Sequence, residues 1–133
     1  MTQKIVLMSS PEYFKVEYAI NPWMVPGTNV DLELAKDQWN GLKRTIEEAG
    51  AEVKVVPPSE NHPDLVFTAN SGIIRGNDVL IANFKFEERR GEEEIYIKWF
   101  KENEYNVSRI PPDYKFEGRG DAFVYGDYLV GSY

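Results

Sequence analysis

Between positions 30 and 49 the apolar residues Val30, Leu34, Ala35, Trp39, Leu42, Ile46 and Ala49 return at spacings of three and four. That period puts them on one stripe of a helix. Asn29 stands where an N-cap belongs, Asp31 and Glu33 put acids in the first turn, and Gly50 offers a left-handed stop. A second helix is expected over 87–103, with Ile95, Trp99, Phe100 and Glu92 on one side and a solvated, acid-rich start. Shorter apolar runs read as strands: 5–8 as a buried strand, 53–56 closed by Pro57 and Pro58, 65–67, and 106–110 closed by Pro111 and Pro112. The runs 72–75 and 78–82 flank Gly76 and Asn77, a hairpin signature. Residues 9–29 have no period and carry Pro11, Pro22, Pro26 and Gly27. Long loops inside compact domains are usually functional or disordered. Tyr13, Phe14, Tyr18, Ile20, Trp23 and Met24 make this one too apolar for disorder, so an ordered, packed loop is expected.

The pattern also echoes itself. The stretch from Phe67 to Phe84 recurs 49 positions later from Phe116 to Tyr133, matching Phe67 with Phe116, Asp78 with Asp127, Leu80 with Leu129 and Phe84 with Tyr133. A helix, a strand and a proline pair precede each copy. A repeated helix–strand–hairpin unit marks an array whose members bury their faces against neighbours; two unrelated hairpins are the alternative. Residues 1–133 are thus expected to form a single α+β domain with repeats at approximately 30–84 and 87–133, ending before the array closes.

Composition narrows the chemistry. The 133 residues, 42% hydrophobic and 28% charged, suit one globular domain. Fifteen basic against twenty-two acidic residues leave a net charge of −7, which disfavours nucleic acid and anionic lipid and favours cationic ligands. With no cysteine, the sequence holds no disulfide, thiolate zinc site or cysteine nucleophile. The single His62, beside a proline in a polar stretch, reads as a surface residue and excludes a histidine-rich metal site. No apolar run approaches the roughly 20 residues of a membrane span. The run 5–8 is too short for a secretory leader, which makes a cytoplasmic address the default expectation.

Three clusters can carry chemistry. In the first, Pro63 to Asn70, a polar Asn70 follows an apolar run and points at whatever lies at its end; from spacing alone it reads more readily as a turn former. In the second, Phe116 to Asp121, glycines let the backbone approach a ligand, and Glu117 and Asp121 could pair with a planar cation. A solvated turn beside Arg119 is the alternative there. The third is Asn21-Pro22-Trp23-Met24, where Trp23 reads either as a contact or as core. A carbohydrate-binding reading of the eight Tyr and three Trp is weaker, because these sit largely on helix stripes and strands, where aromatics pack.

Taken together, Tyr18-x-Ile20-Asn21-Pro22-Trp23-Met24, Pro63-Asp64-x-Val66-Phe67-Thr68-Ala69-Asn70, Glu88-Arg89 and Phe116-Glu117-Gly118-x-Gly120-Asp121 resemble the guanidino-group-modifying enzymes. This superfamily includes amidinotransferases, arginine deiminases and dimethylarginine dimethylaminohydrolases. The resemblance implies the pentein fold, an α/β propeller of five ββαβ units, of which this sequence covers about two units and half the family's length. It implies attack of a cysteine thiolate on the guanidinium carbon, with a histidine moving protons and no metal or other cofactor. Carried over, Glu117 is the acidic catalytic partner, and Asn21, Asn70, Arg89 and Asp121 are substrate contacts. Arg89 suits a substrate carboxylate, and Asp121 orients the glycine-rich turn. Deiminases and dimethylargininases place an aspartate at the position of Asn70; an asparagine there is similar to the arginine and succinylarginine dihydrolase branch. Arg119 replaces a smaller residue. The family's cysteine and histidine are absent, and His62 occupies neither position. The implied partners are an arginine-like guanidino compound and either a C-terminal half or a second copy. The expected function is thus that of a half-length arginine-hydrolase-like protein, inactive alone, with a noncatalytic ligand-binding or oligomerising module as the alternative.

Overall fold

A computed structural model describes residues 4–131. It is a mixed α/β fold of two helices and seven strands among those residues, in two compact units that divide after Thr68. Tyr133, the expected counterpart of Phe84, lies outside the described residues.

In the first unit β1 (Ile5–Ser9) and β2 (Glu52–Val56) pair in parallel, in register from Ile5 opposite Glu52 to Ser9 opposite Val56. Parallel neighbours need a crossover, and α1 (Leu32–Glu48) supplies it. The helix begins later than its apolar stripe suggests. Asp31, not Asn29, is the N-cap, its carboxylate accepting from the Leu34 amide at 3.0 Å. Gly50 stops the helix as expected, at φ +88° with its amide on the Glu47 carbonyl. The burial expected of both elements is incomplete. Met8, Ser9 and Val56 are buried, but Ile5, Leu34 and Leu42 are exposed and α1 buries no residue fully.

The run 65–67 is not a strand. Pro63–Val66 forms a 3₁₀ turn, with the Leu65 amide on the His62 carbonyl and the Phe67 amide on the Asp64 carbonyl. Proline at its start fixes φ and has no N–H to give a ladder. A second 3₁₀ turn, Thr68–Asn70, follows. The long loop is ordered as expected. Phe14 meets Phe67 edge to face at 5.6 Å, Tyr18 Oη donates to the buried Asp64 carboxylate at 2.8 Å, and the Gly27 amide closes on the Val16 carbonyl. Trp23 is not core; it is 85% exposed.

In the second unit β3 (Gly72–Arg75) and β4 (Asp78–Ile81) form the expected hairpin about Gly76 and Asn77, and β5 (Asn106–Arg109) joins β4 in parallel. Between them α2 (Glu87–Glu102) turns Arg89, Glu92, Tyr96, Ile97 and Phe100 inward. Of the side expected to pack, Phe100 and Glu92 are buried, while Ile95 and Trp99 are only half-buried. Val79, Ile81, Phe84, Tyr96 and Phe100 form the core of this unit, and Phe100 stacks edge to face on Trp99 and Tyr105. A third 3₁₀ turn, Gly118–Gly120, leads into the hairpin of β6 (Ala122–Tyr125) and β7 (Tyr128–Gly131).

The two hairpins have the same shape, but their register is one residue off the sequence match. Gly76 and Gly126, at φ +60° and +58°, occupy the same turn position and lie 50 apart. Asp127 therefore corresponds to Asn77 and not to Asp78, and Val130, not Leu129, corresponds to Leu80. The extra residue lies between Phe116 and the third 3₁₀ turn, Gly118–Gly120, which begins two residues after Phe116 where Thr68–Asn70 begins one after Phe67. Among the described residues no helix is long and apolar enough to cross a membrane.

His62 is half-buried, with Nδ1 3.0 Å from Ser59 Oγ. Burial pushes its pKa below the ordinary 6.5. The unfolded chain therefore takes up this proton first, so the contribution is complete above about pH 6.5 and is lost as pH falls below it. We expect the thermal midpoint to drop between pH 7.5 and 5.5 by more in the wild type than in His62→Gln; equal pH profiles would refute this account.

Candidate functional site

The site residues of the second unit are held where two turns meet backbone to backbone. Gly118 is at φ +60°, and a Cβ there would lie 2.7 Å from the Ala69 carbonyl oxygen, 2.8 Å from the Gly72 nitrogen and 2.9 Å from the Asn70 carbonyl carbon. Only glycine allows both the dihedral and the approach. Just before this turn Phe116 exchanges two backbone hydrogen bonds with Asn83, at 2.8 and 3.1 Å. The Asn83 side chain donates to the Pro112 and Tyr114 carbonyls and so holds the incoming loop as well. The Asp121 carboxylate closes the turn by accepting from the Glu117 amide at 2.6 Å.

Within this frame Asn70 and Glu117, separated by 47 positions, meet: Asn70 Nδ2 donates to the Glu117 carbonyl at 3.3 Å. Asn70 ends a 3₁₀ turn and precedes β3, instead of following a strand as expected. The Glu117 side chain is half-buried, and its carboxylate has no hydrogen bond or ion pair among the described residues. On the other side Asn70 Oδ1 accepts from Arg89 Nη1 at 3.1 Å.

Arg89 does not present a free cation. It is 5% exposed, its Nε and Nη2 donate to the two carboxylate oxygens of Glu92 at 2.8 and 2.7 Å, and its guanidinium carbon lies 4.4 Å from the centroid of the Phe84 ring. At least three of its five N–H donors are therefore engaged within the unit. Glu92 is fully buried one turn before Tyr96, whose phenol is pushed far above its ordinary pKa, first by burial and then by the Glu92 charge. Asn21 belongs to the first unit. Its Oδ1 accepts from the Trp23 and Met24 amides at 3.0 and 3.1 Å, an Asx turn that shapes the loop.

Asn70, Glu117, Asp121 and Arg89 are thus brought together, with Asp121 and Arg89 turned inward to support the other two. Sequence reasoning missed Asn83 and underrated Glu92. Glu92 did carry a signal: a charged residue three positions after Arg89, on the stripe that α2 buries. Asn83 carried none, because its role depends on a bridge to residues far along the chain. Among the described residues no group of three or more His, Asp or Glu side chains is placed to hold a metal ion.

Comparison with known proteins shows the family. Residues 18–130 match the family model described as N,N dimethylarginine dimethylhydrolase, eukaryotic, and the chain belongs to that family of guanidino-group-modifying enzymes. It is 43% identical over 118 residues to the bifunctional arginine dihydrolase/ornithine cyclodeaminase ArgZ of Synechocystis, covering 88% of this chain and 17% of that protein. To the N(G),N(G)-dimethylarginine dimethylaminohydrolase of Mycobacterium tuberculosis it is 36% identical over 126 residues, covering 95% and 41%. The substrate-bound N-terminal domain of ArgZ, described as an arginine dihydrolase from the ornithine-ammonia cycle in cyanobacteria, superposes with a TM-score of 0.88 at 41% identity. That match covers 97% of this chain and 48% of the solved one, so this chain spans less than half of each of these relatives.

Gly118→Ala tests the frame. A Cβ at positive φ, in contact with backbone that cannot rotate away, is expected to cost about 2–4 kcal/mol. Urea unfolding should show this loss, whereas Gly27→Ala, also at positive φ but with open space around it, should cost only about 1 kcal/mol. Equal losses would refute the close approach as the cause.

Proposed function

We propose that this chain is the guanidino-binding portion of an arginine-hydrolase-like enzyme, with the cysteine nucleophile and proton-moving histidine supplied by residues outside it. The observation that carries the reading is the meeting of Asn70 with Glu117, which leaves one carboxylate without a partner among the described residues beside one oriented amide. A guanidinium is a planar monocation with donors only. The Glu117 carboxylate neutralises it through charge-assisted hydrogen bonds. The Asn70 amide keeps one lone pair and one N–H beyond its contacts with Arg89 and Glu117. It therefore accepts from a guanidinium and also donates to an attacking water, which an aspartate cannot do. Asn21 has both lone pairs committed to its Asx turn and retains its NH₂, which suits a substrate carboxylate better than a guanidinium. Asp121 and Arg89 act behind these contacts.

The same reading makes the stretches 30–84 and 87–133 two units of a five-unit propeller. The repeated order of helix, strand, proline pair and hairpin supports this, as do the matching hairpins. A cytoplasmic address remains part of the proposal. The β6–β7 hairpin favours a companion reading: Phe123, Tyr125, Tyr128 and Val130 share one side of it and are exposed, an apolar face suited to a C-terminal half or a second copy.

Ammonia release from arginine, followed for the chain alone and for the chain mixed with a polypeptide spanning the remainder of its relatives' guanidino-hydrolase domain, tests the proposal. We expect no turnover alone and turnover on mixing. Glu117→Gln should weaken arginine binding by calorimetry roughly tenfold to a hundredfold, the loss of one charge-assisted pair. Turnover by the isolated chain, or indifference to Glu117→Gln, overturns the assignment.

A further inference from the structure

Arg89 and Glu92 have no direct role in the chemistry just proposed, yet they form a buried ion pair against the back of Asn70. We propose that Glu92 is a positioning residue: by clamping the Arg89 guanidinium at both Nε and Nη2, it fixes which way the Asn70 amide faces. The inference deepens the guanidino-binding reading and rests on it for the ligand, while the relay itself is defined by contacts within the second unit.

The physical argument starts from donors and acceptors. A guanidinium has five N–H donors and no acceptor. Against Arg89 Nη1, 3.1 Å away, Asn70 can present only its oxygen, since a flipped amide would set NH₂ against N–H. With the oxygen turned to Arg89, the NH₂ faces the Glu117 carbonyl at 3.3 Å. A single ion contact would leave the guanidinium free to rotate. The two parallel bonds to Glu92, at 2.8 and 2.7 Å, fix its plane and leave Nη1 aimed at Asn70. The Phe84 ring, 4.4 Å from the guanidinium carbon, covers one face. Net stability does not explain the pair. Burying two charges costs several kcal/mol each, and well-packed apolar residues usually do as well or better. What an apolar pair cannot do is orient an amide.

The test reads the Asn70 side chain directly, by ¹⁵N NMR of the full chain, with its NH₂ resonances identified by their loss in Asn70→Ser. In the wild type we expect a resolved, slowly exchanging proton pair. In Glu92→Gln, with the backbone spectrum still folded, the pair should move toward free-asparagine positions and exchange with solvent roughly tenfold faster, the protection of about one hydrogen bond. Arg89→Lys keeps the charge without the planar fork and should release the amide in the same way. An unchanged Asn70 pair in a folded Glu92→Gln or Arg89→Lys chain overturns the proposal. Unfolding by both substitutions also overturns it, because the pair would then be a requirement of folding instead of a positioning device. Titration of the wild type with L-arginine separates the two readings. A shift of the Asn70 pair supports the ligand assignment, whereas no shift combined with a Glu92-dependent pair would remove the ligand and leave the relay standing.

Discussion

Two turns from distant parts of the chain lie so close at Gly118 that a single methyl group would not fit between them. Everything assembled at the site depends on that approach. If the turn at 118–120 stood further off, the Glu117 carbonyl would move beyond reach of Asn70, and the Glu117 carboxylate would be one more surface acid. The approach is enforced from both ends. Asn83 and Phe116 exchange backbone hydrogen bonds before the turn, and Asp121 caps the Glu117 amide after it. A carboxylate spent on a backbone amide is a short-range constraint, and it makes the conformation of Glu117 a property of the fold.

Charged groups do two different jobs in the second unit, and their surroundings separate them. Arg75 and Asp127 pair at 2.9 Å with side chains 62% and 96% exposed. An ion pair of that kind contributes about 0–1 kcal/mol and weakens with salt. Arg89 and Glu92 make a pair of similar length with side chains 6% and 0% exposed, where every unsatisfied donor would carry a desolvation cost. The first pair can break without consequence for the site. The second cannot rearrange without disturbing Asn70, because the same guanidinium serves both partners.

Much of this was legible in the sequence, and the failures share a cause. The helices, both hairpin strands and the glycine stop at Gly50 follow from periodicity and turn chemistry, which are local. The N-cap falls at Asp31 and not at Asn29 because both residue types cap well, and only the backbone decides which one turns. The run 65–67 looked like a strand because it is apolar, but Pro63 had already committed the chain to a turn. The echo in sequence pairs Asp78 with Asp127, whereas the conformation follows Gly76 and Gly126, since a positive φ constrains residue choice more tightly than a surface carboxylate does. At the site, the residue types of Asn70 and Glu117 were readable. The inward turn of Arg89 was not, because hydropathy assigns an arginine to the surface unless its partner is recognised.

The charge count at the site points to the kind of ligand it can take. Arg89 and Glu92 cancel one another, and Asp121 is engaged with a backbone amide. Asn70 is neutral, so Glu117 is the one carboxylate of this cluster without a partner among the described residues. An aspartate at position 70 would add a second negative charge facing the Glu117 carbonyl, replace a donor with an acceptor at 3.3 Å, and compete with Glu92 for Arg89. The amide avoids all three conflicts while retaining an oxygen for Arg89. A site built in this way balances a single positive charge and holds a planar group by hydrogen bonds to one side of it. On the proposed reading that arrangement suits a guanidinium better than a dication or an anion, and it makes the identity of residue 70 and the burial of Glu92 parts of one constraint.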